Sequence, residues 1–178
     1  MLENFEIDLK AIEMDGKSFS YSLEDSFFTD LEAQDITGGH LDAQVYVKKN
    51  AASYELNLHV DGNITIPCDR CLDDMIQPVN ADSVLKVKFG PSYLDEGDDL
   101  IIVPEDEGKI NVAWFLYEMI VLSIPIHHTH KDGECNAEMM KILKEHSDQN
   151  FNDEDSAVAN DNKIDPRWSD LKNLLNNN

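Results

Sequence analysis

Apolar and polar residues alternate with a period of two along the first half of the chain. The clearest case covers residues 54–60, where Tyr, Leu, Leu and Val alternate with Glu, Asn and His. This pattern is typical of antiparallel strands with one buried and one wet face. Asp61-Gly62 then predicts a tight hairpin turn, after which Ile64 and Ile66 resume the alternation. The same alternation recurs at residues 5–9, 19–23, 41–47 and 85–89.

The segment from Asn111 to about Leu122 is rich in apolar residues and predicts the central helix of the fold. Asn111 can cap this helix, and Pro125 prevents much continuation. The helix is apolar nearly all round, so we expect it to be covered on most sides and to pack on the sheet. The predicted fold class is therefore α+β. It is an antiparallel β meander or partly open barrel packed by one apolar helix, with short C-terminal helices.

Other segments divide the chain into a domain and a tail. Residues 25–35 fit either a short capped helix or a bulged strand, and residues 93–108 predict an acidic loop with an edge strand at 100–103. Residues 137–146 predict a second amphipathic helix. We therefore expect one α+β domain over residues 1–146 and an acidic disordered linker over residues 147–163.

Residues 164–178 predict a C-terminal amphipathic helix. Asp165 followed by Pro166 is a strong helix start. One narrow apolar stripe contains Trp168, Leu171, Leu174 and Leu175, of which Trp168, Leu171 and Leu175 are the predicted partner-binding residues. A helix this short is marginal alone in water. We therefore expect the stripe to bind something, either its own domain or a partner.

The charge balance limits the classes of function. The chain has 36 acidic and 14 basic residues and a formal net charge of -22, which excludes a conventional nucleic-acid binder acting through bulk charge. An acidic surface either keeps the protein soluble or complements basic partners, of which ribosomal proteins are the commonest in a bacterial cytoplasm. The sequence shows no export signal, no membrane span, no phosphate loop and no nucleophile elbow. We expect a reduced, cytoplasmic protein that is not an enzyme.

Cys68 and Cys71 form the sharpest local motif, C-x-x-C, directly after a predicted strand. Two thiolates at this spacing can bind one metal ion, and a tetrahedral zinc ion needs two further ligands. Cys135 and one of the three histidines just upstream of it, His127, His128 or His130, can supply them and would tie the strands to the segment after the central helix. Two other interpretations stay open: inert buried cysteines, or a redox pair. The redox interpretation lacks the long helix that a thioredoxin-like motif needs.

Two charged residues are candidates for chemistry on their own. Arg70, between the cysteines, either pairs with a nearby carboxylate or contacts an anion of RNA or of a partner protein. Glu118 in the apolar helix is either a buried acid or base or the exposed edge of that helix. No acid and base pair can be assembled from the sequence.

Several of these features together resemble the bacterial YceD family, described as large ribosomal RNA subunit accumulation proteins. The resemblance rests on PCDRCLDD, on an acidic insert, on GKINVAWFLYEMIVLSIPIHH, on Cys135 and on the closing DPRWSDLKNLL. Cys68, Arg70 and Cys71 match the family's C-x-R-C. His130 and Cys135 look like the downstream His and Cys of several members. The additional cysteines of other members are absent, which leaves histidine as the fourth soft ligand.

The resemblance implies a role in ribosome assembly with no established enzymatic activity. Combined with the net charge, it favours contacts with a basic ribosomal protein or a precursor large ribosomal subunit over extensive contact with RNA. The alternatives are a direct RNA-binding module, with a small site around Arg70, Lys86 and Lys88, and a thiol or zinc enzyme. One structural zinc ion is the expected cofactor.

Overall fold

The computed structural model of the protein describes residues 2–148, apart from residues 96 and 98. The chain divides into two units, Met1–Ala137 and Glu138–Asn178. The elements in chain order are β1 (Glu6–Asp8), β2 (Lys17–Leu23), α1 (Asp25–Asp30), β3 (Gly38–Lys49), β4 (Tyr54–Pro67), β5 (Asp74–Gly90), β6 (Leu94–Asp95), β7 (Leu100–Pro104), β8 (Lys109–Asn111), α2 (Ala113–Ser123) and α3 (Ala137–Asp148), with short 3-10 turns at Leu2–Phe5 and Leu9–Ala11.

The main sheet has six strands in the order β2-β3-β4-β5-β7-β6, and it is open. A second, two-stranded sheet joins β1 to β8. The predicted α+β fold with an antiparallel sheet is confirmed, with one exception at β7, which runs parallel to β5. The acidic segment after Gly90 carries the chain back along β5, so that Leu100 pairs with Lys86. The strand predicted at 100–103 is present as β7, but it is not the edge strand, because β6 pairs with its outer side.

The period-two pattern correctly predicts which strand faces are buried. Every even-numbered residue of β4 from Tyr54 to Ile66 is buried, except the half-buried Gly62. The inner faces of β3 and β5 pack beside it in the same core. Full burial of each such Val, Leu or Ile side chain stabilises the fold by about 1.5–3 kcal/mol. The sheet therefore contributes most of the core, and α2 packs against β5 and β4.

The predicted hairpin turn at Asp61-Gly62 is wrong, because β4 runs straight through it. Gly62 has a φ of +151° and pairs with Leu41 on one side and Val79 on the other. A Cβ there would lie 2.7 Å from the Leu41 Cα and closer still to the His40 carbonyl oxygen. Glycine is needed at this point for close approach of two backbones rather than for a turn. The hairpin lies six residues further on.

Helix α2 begins at Ala113, one residue later than a cap at Asn111 predicts, and the Asn111 side chain still satisfies an N–H group of its first turn. The Asn111 Oδ1 accepts a hydrogen bond from the backbone N–H of Ala113 at 2.9 Å. The expectation that the helix is covered on most sides holds for the described residues, except along one stripe. Trp114 and Leu122 lie on that stripe and are 56% and 79% exposed, whereas Phe115, Tyr117 and Val121 are partly buried against the core. The buried side consists of Ala113, Leu116, Met119 and Ile120.

Both shorter helical segments within the described residues are present, and the predictions for the tail fall outside them. The segment 25–35 begins with a helix, α1, and the predicted second amphipathic helix is α3. No helix among the described residues is long and apolar enough to cross a membrane. The single domain over residues 1–146 stays a prediction. The linker at 147–163 and the helix at 164–178, with Trp168, Leu171 and Leu175, lie beyond residue 148 and outside the described residues.

Candidate metal centre

The loop between β4 and β5 holds the first two candidate ligands. It spans residues 68–73, and the Cys68 backbone closes it on both sides, donating to the Asp73 carbonyl and accepting from the Leu72 N–H, each at 2.9 Å. Leu72 adopts a φ of +62°, which bends the chain back toward β5. Both Cys68 and Cys71 are buried in this turn, with 0% and 1% of their surface exposed.

The segment after α2 is attached to this loop by reciprocal hydrogen bonds. The Asp69 N–H donates to the His128 carbonyl, and the His128 N–H donates to the Asp69 Oδ2, each at 2.9 Å. The Asn136 side chain donates to the Asp73 Oδ2 at 3.0 Å near the end of the segment. These contacts hold the segment that carries His130 and Cys135 beside the two cysteines. Sequence analysis missed Asp69 and Asp73, because nothing local marks partners some 60 residues away.

Four ligand atoms converge at this point: the Sγ atoms of Cys68, Cys71 and Cys135 and a ring nitrogen of His130, all within 4.8 Å of one another. Zinc–sulfur bonds of about 2.3 Å and zinc–nitrogen bonds of about 2.0 Å imply tetrahedral edges of roughly 3.5 Å between sulfur and nitrogen and roughly 3.8 Å between two sulfurs. The His130 Nδ1 is already 3.3 Å from the Cys71 Sγ. The donor set and its spacing therefore fit one tetrahedral metal ion with little movement.

A hydrogen bond at the Nε2 of His130 determines which ring nitrogen can bind a metal ion. The Nε2 lies 3.2 Å from the Asp74 carbonyl oxygen, which can only accept. The Nε2 therefore carries the proton in this contact, and the Nδ1 lone pair is left for a metal ion. Such a hydrogen bond from the far nitrogen is the usual support of a metal-bound imidazole.

The local electrostatics favour a thiolate at Cys68. Burial by itself raises the pKa of this thiol, but the backbone N–H groups of His130, Arg70 and Cys71 and the Cys71 side chain outweigh it and lower the pKa to about 6. The His130 pKa is raised, chiefly by its hydrogen bond to Cys68. Burial and the neighbouring sulfur atoms raise the Cys135 pKa. A bound cation would instead lower the pKa of Cys135, since a cation stabilises thiolates.

The other candidate residues lie apart from this cluster. Arg70 is 39% exposed, and its guanidinium is 4.0 Å from the Asp132 carboxylate, so it forms a weak surface pair. Glu118 is exposed on α2. Lys86 and Lys88 lie near the far end of β5, roughly 40 Å from the loop that holds Arg70 at about 3.3 Å per residue. The suggested small RNA site around these three cations is therefore not supported.

The two neighbouring histidines are not part of the cluster. His127 is 92% exposed and lies 4.0 Å from an Asp69 oxygen, and His128 is held by Asp69 and by the Pro125 carbonyl. Their positions leave His130 as the histidine of the described chain that reaches the three cysteines.

Comparison with known proteins gives one result. The family model described as "Large ribosomal RNA subunit accumulation protein YceD" matches residues 56–175, which are 120 of the 178 residues. The matched part begins in β4 and includes the four-residue cluster and α2. Searches of curated proteins and of solved structures found no match to this chain. Since the family model covers well over half of the chain, and since the C-x-R-C motif lies within it, this protein belongs to the YceD family.

Proposed function

We propose that this protein is a non-catalytic ribosome-assembly factor of the cytoplasm that supports accumulation of large-subunit ribosomal RNA. The match of residues 56–175 to the YceD family carries the proposal, and the family's description supports a role linked to the ribosome. We further propose that the protein acts mainly through contacts with a basic ribosomal protein or with a precursor large subunit. Its net charge of -22 favours such partners over bare RNA.

The distribution of cations supports the preference for protein partners. Binding to phosphates needs several Lys and Arg residues that are free and close together. Here the Lys109 ammonium is 2.7 Å from Glu6, and the Lys10 ammonium donates to the Asp106 carbonyl. Lys17 and Lys49 lie over aromatic rings. These four cations are thus engaged within the protein, and the lysines on β5 are far from Arg70.

The proposed cofactor is one structural zinc ion held by Cys68, Cys71, His130 and Cys135. Four protein ligands fill a tetrahedral zinc ion, whereas a catalytic zinc ion keeps a position open for water. The ion would fix the tip of the β4–β5 hairpin to the segment that follows α2. Native mass spectrometry tests this directly. We expect one zinc ion per chain, lost on Cys135→Ser and retained in the control His127→Ala. Metal-free wild-type protein after expression in zinc-supplemented cells would contradict the assignment.

A thiol enzyme is the alternative that one observation favours, because the Cys68 pKa is lowered to about 6. Against it, the side chain has no exposed surface to meet a substrate. Alkylation with iodoacetamide separates the two functions. Rapid modification of Cys68 in the zinc-loaded protein would favour thiol chemistry, whereas protection that is lost on chelation supports a structural role.

Affinity purification from cells tests the assembly role. The tagged full chain is expected to recover precursor large-subunit particles or a free basic ribosomal protein, and release should follow as salt is raised from about 0.05 to 0.5 M. Recovery of neither at low salt would contradict the proposal. Tight binding of the purified protein to naked ribosomal RNA, with a steep salt dependence, would instead favour the RNA-binding module.

The predicted apolar stripe of the C-terminal segment offers a matched pair of variants for the same experiment. The triple variant Trp168→Ala, Leu171→Ala, Leu175→Ala removes the three predicted partner-binding residues of the stripe. The control Asn173→Ala, Asn176→Ala, Asn177→Ala changes three polar residues of the same segment. If the stripe binds the partner, only the first variant should lose the recovered particle or protein. Equal recovery by both would remove Trp168, Leu171 and Leu175 from the partner-binding set.

A further inference from the structure

The main sheet ends at a strand whose outer edge is open. β2 is seven residues long and pairs only with β3, from Lys17↔Val47 to Leu23↔Leu41. In such an antiparallel pair every second residue directs its N–H and C=O groups away from the partner strand. Within the described residues no other strand pairs with those groups. Among the described strands, the other side of the sheet is open along residues 74–85 of β5, because β7 pairs only with Lys86–Gly90. That stretch differs from β2 in carrying Pro78, and proline is one of the residues that natural edge strands use against pairing.

β2 also lacks the features that usually protect an edge strand. Natural edge strands carry prolines, bulges or several lysines, or are very short. β2 reads KSFSYSL, with no proline and with one lysine at its first position. That lysine lies over the Phe19 ring at 5.1 Å. A further strand could therefore pair with β2 and extend the sheet, since main-chain hydrogen bonds suffice for such pairing.

A cavity of about 350 Å³ runs along this edge. Three consecutive β2 residues, Ser20, Tyr21 and Ser22, line it. Successive side chains of a strand point to opposite faces, so a cavity that reaches all three lies beside the strand rather than on one face. Phe5 and Phe27 form its apolar wall. The Phe5 ring stacks on Tyr21 at 4.9 Å and lies 5.2 Å from Phe27. The cavity can thus receive an apolar side chain from a strand added to β2.

The charge around the edge is strongly negative. Residues 2–35, which include β1, β2 and α1, contain ten acidic and two basic residues, a formal net charge of -8. Asp15 lies just before β2 and Glu24 just after it. A strand that binds there is favoured if it is basic, since complementary charge raises the association rate and disfavours acidic competitors.

We propose that β2 is a docking edge for an extended basic segment of a partner protein, which adds to the sheet as a further strand. Alternate residues of the segment face the cavity beside Tyr21 and are apolar, and the residues between them are lysine or arginine. This inference rests on the proposed function, because it names the surface through which a basic partner would bind. It adds the mode of binding, which is main-chain pairing in addition to charge.

A synthetic peptide tests the mode of binding. The probe is a ten-residue peptide that alternates valine and lysine, and its control is the same peptide with N-methyl groups on alternate residues. Both carry the same charge, but the control lacks the N–H donors of one edge. We expect the first to bind at least about tenfold more tightly, and to slow hydrogen exchange at alternate amides of residues 17–23. Equal affinity of the two peptides would overturn the proposal in favour of unspecific charge attraction.

Two double variants test the place of binding. Ser18→Lys with Ser20→Lys adds two positive charges beside the edge, at exposed positions that keep the sheet pairing. Asn57→Lys with Asn63→Lys adds the same charge on the outer face of β4, a strand that is paired on both sides at these positions. We expect the first variant to weaken peptide binding about fivefold or more, and the second to change it by less than about twofold. Equal loss in both would overturn the assignment to β2.

Two further results separate this inference from the proposed function. If tagged wild-type protein recovers a basic ribosomal protein and the Ser18→Lys, Ser20→Lys variant recovers it equally well, the docking edge is wrong while the assembly role stands. If wild-type protein recovers no such partner but binds the probe peptide, the assembly role fails on its own. If hydrogen exchange of the β2 amides slows as the protein concentration rises in the absence of peptide, the edge binds a second copy of this chain. That result would also overturn the proposal.

Discussion

Removing the metal is expected to loosen the tip of the β4–β5 hairpin without unfolding the sheet. The core cluster lies between the inner sheet face and α2 and includes neither Cys68 nor Cys71. The hydrogen bonds between Asp69 and His128 also persist without a ligand ion, since both partners are protein groups. The metal-free protein should therefore remain folded at 25 °C and melt at a lower temperature.

The size of the change follows from linkage. A ligand present at about 1,000 times its Kd stabilises the folded state by about 4 kcal/mol. The unit that holds the site spans residues 1–137. For a domain of that size each kcal/mol shifts Tm by roughly 3–4 °C, so chelation should lower Tm by roughly 12–16 °C. Replacing one of four ligands, as in His130→Ala, should weaken zinc binding at least about a hundredfold, or about 2.8 kcal/mol.

Calorimetry and competition with a chromophoric zinc chelator measure both quantities. The matched control is His127→Ala, which removes an exposed histidine three residues from the ligand. It should bind zinc as the wild type does and melt at the same temperature. A Tm that is unchanged by chelation, or equal zinc affinity for the His127 and His130 variants, would refute the assignment of the four ligands.

Three further predictions concern the fold and its surface. Gly62→Ala should destabilise the protein by at least about 1 kcal/mol in urea unfolding, because its Cβ would meet the β3 backbone at His40 and Leu41, which sheet pairing holds in place. Leu116→Ala, in the buried side of α2, should cost about 3 kcal/mol in the same assay, whereas Leu122→Ala should change stability by less than about 0.5 kcal/mol. The pKa of His40 should be above its usual 6.5 by NMR titration, because the ring is 2.9 Å from Glu24, and Glu24→Gln should lower it.

Each of these has a control or a contradicting result. Gly97→Ala introduces the same methyl group at a positive φ where no atom lies within 4 Å, so it isolates backbone strain from steric conflict. A Leu122 variant as destabilising as the Leu116 variant would mean that the outer side of α2 is covered. Glu32→Gln removes a carboxylate without touching the hydrogen bond to His40, and a shift as large as that of Glu24→Gln would contradict a specific pair.

The sign of the pH effect follows from the two directions of shift. The His40 pKa is raised by Glu24, so its contribution is complete below 6.5 and is lost as pH rises through the raised value. The Glu24 pKa is lowered by His40, so its contribution is complete above 4.5 and is lost as pH falls through the lowered value. The pair should therefore stabilise the protein most between pH 4.5 and 6.5, and only slightly, since both groups are exposed.

The apolar alternation around Asp61-Gly62 is itself evidence against a hairpin turn at this position. In a two-residue hairpin the residues on either side of the turn pair with each other and share a face. A turn at Asp61-Gly62 would thus place Val60 and Asn63 on one face. Instead Val60 and Ile64 are both apolar, which is the spacing of an uninterrupted strand. At this point the apolar alternation, and not the Asp61-Gly62 dipeptide, indicates the local structure.

Other features had no signal within reach of a local pattern. The parallel pairing of β5 with β7 depends on how the acidic segment turns back, and a period of two looks the same for both directions. The contact of Cys71 with His130 joins residues 59 positions apart, so spacing could suggest the cluster but could not select among three histidines. The open side of α2 depends on what lies beside the helix, and an apolar sequence does not say how many sides have partners.

The amino-acid sequence by itself determined the strand faces, the apolar helix, the C-x-x-C motif and the family. Each of these depends on patterns of residues within short segments of the chain. Only the tertiary structure decided where the β4–β5 turn lies, which histidine meets the cysteines, and which strand edge and helix side stay uncovered. Burial on a face follows from side-chain alternation along a strand, which is a local property. The choice of partner is instead made between segments that meet only after the chain has folded, so no local pattern contains it.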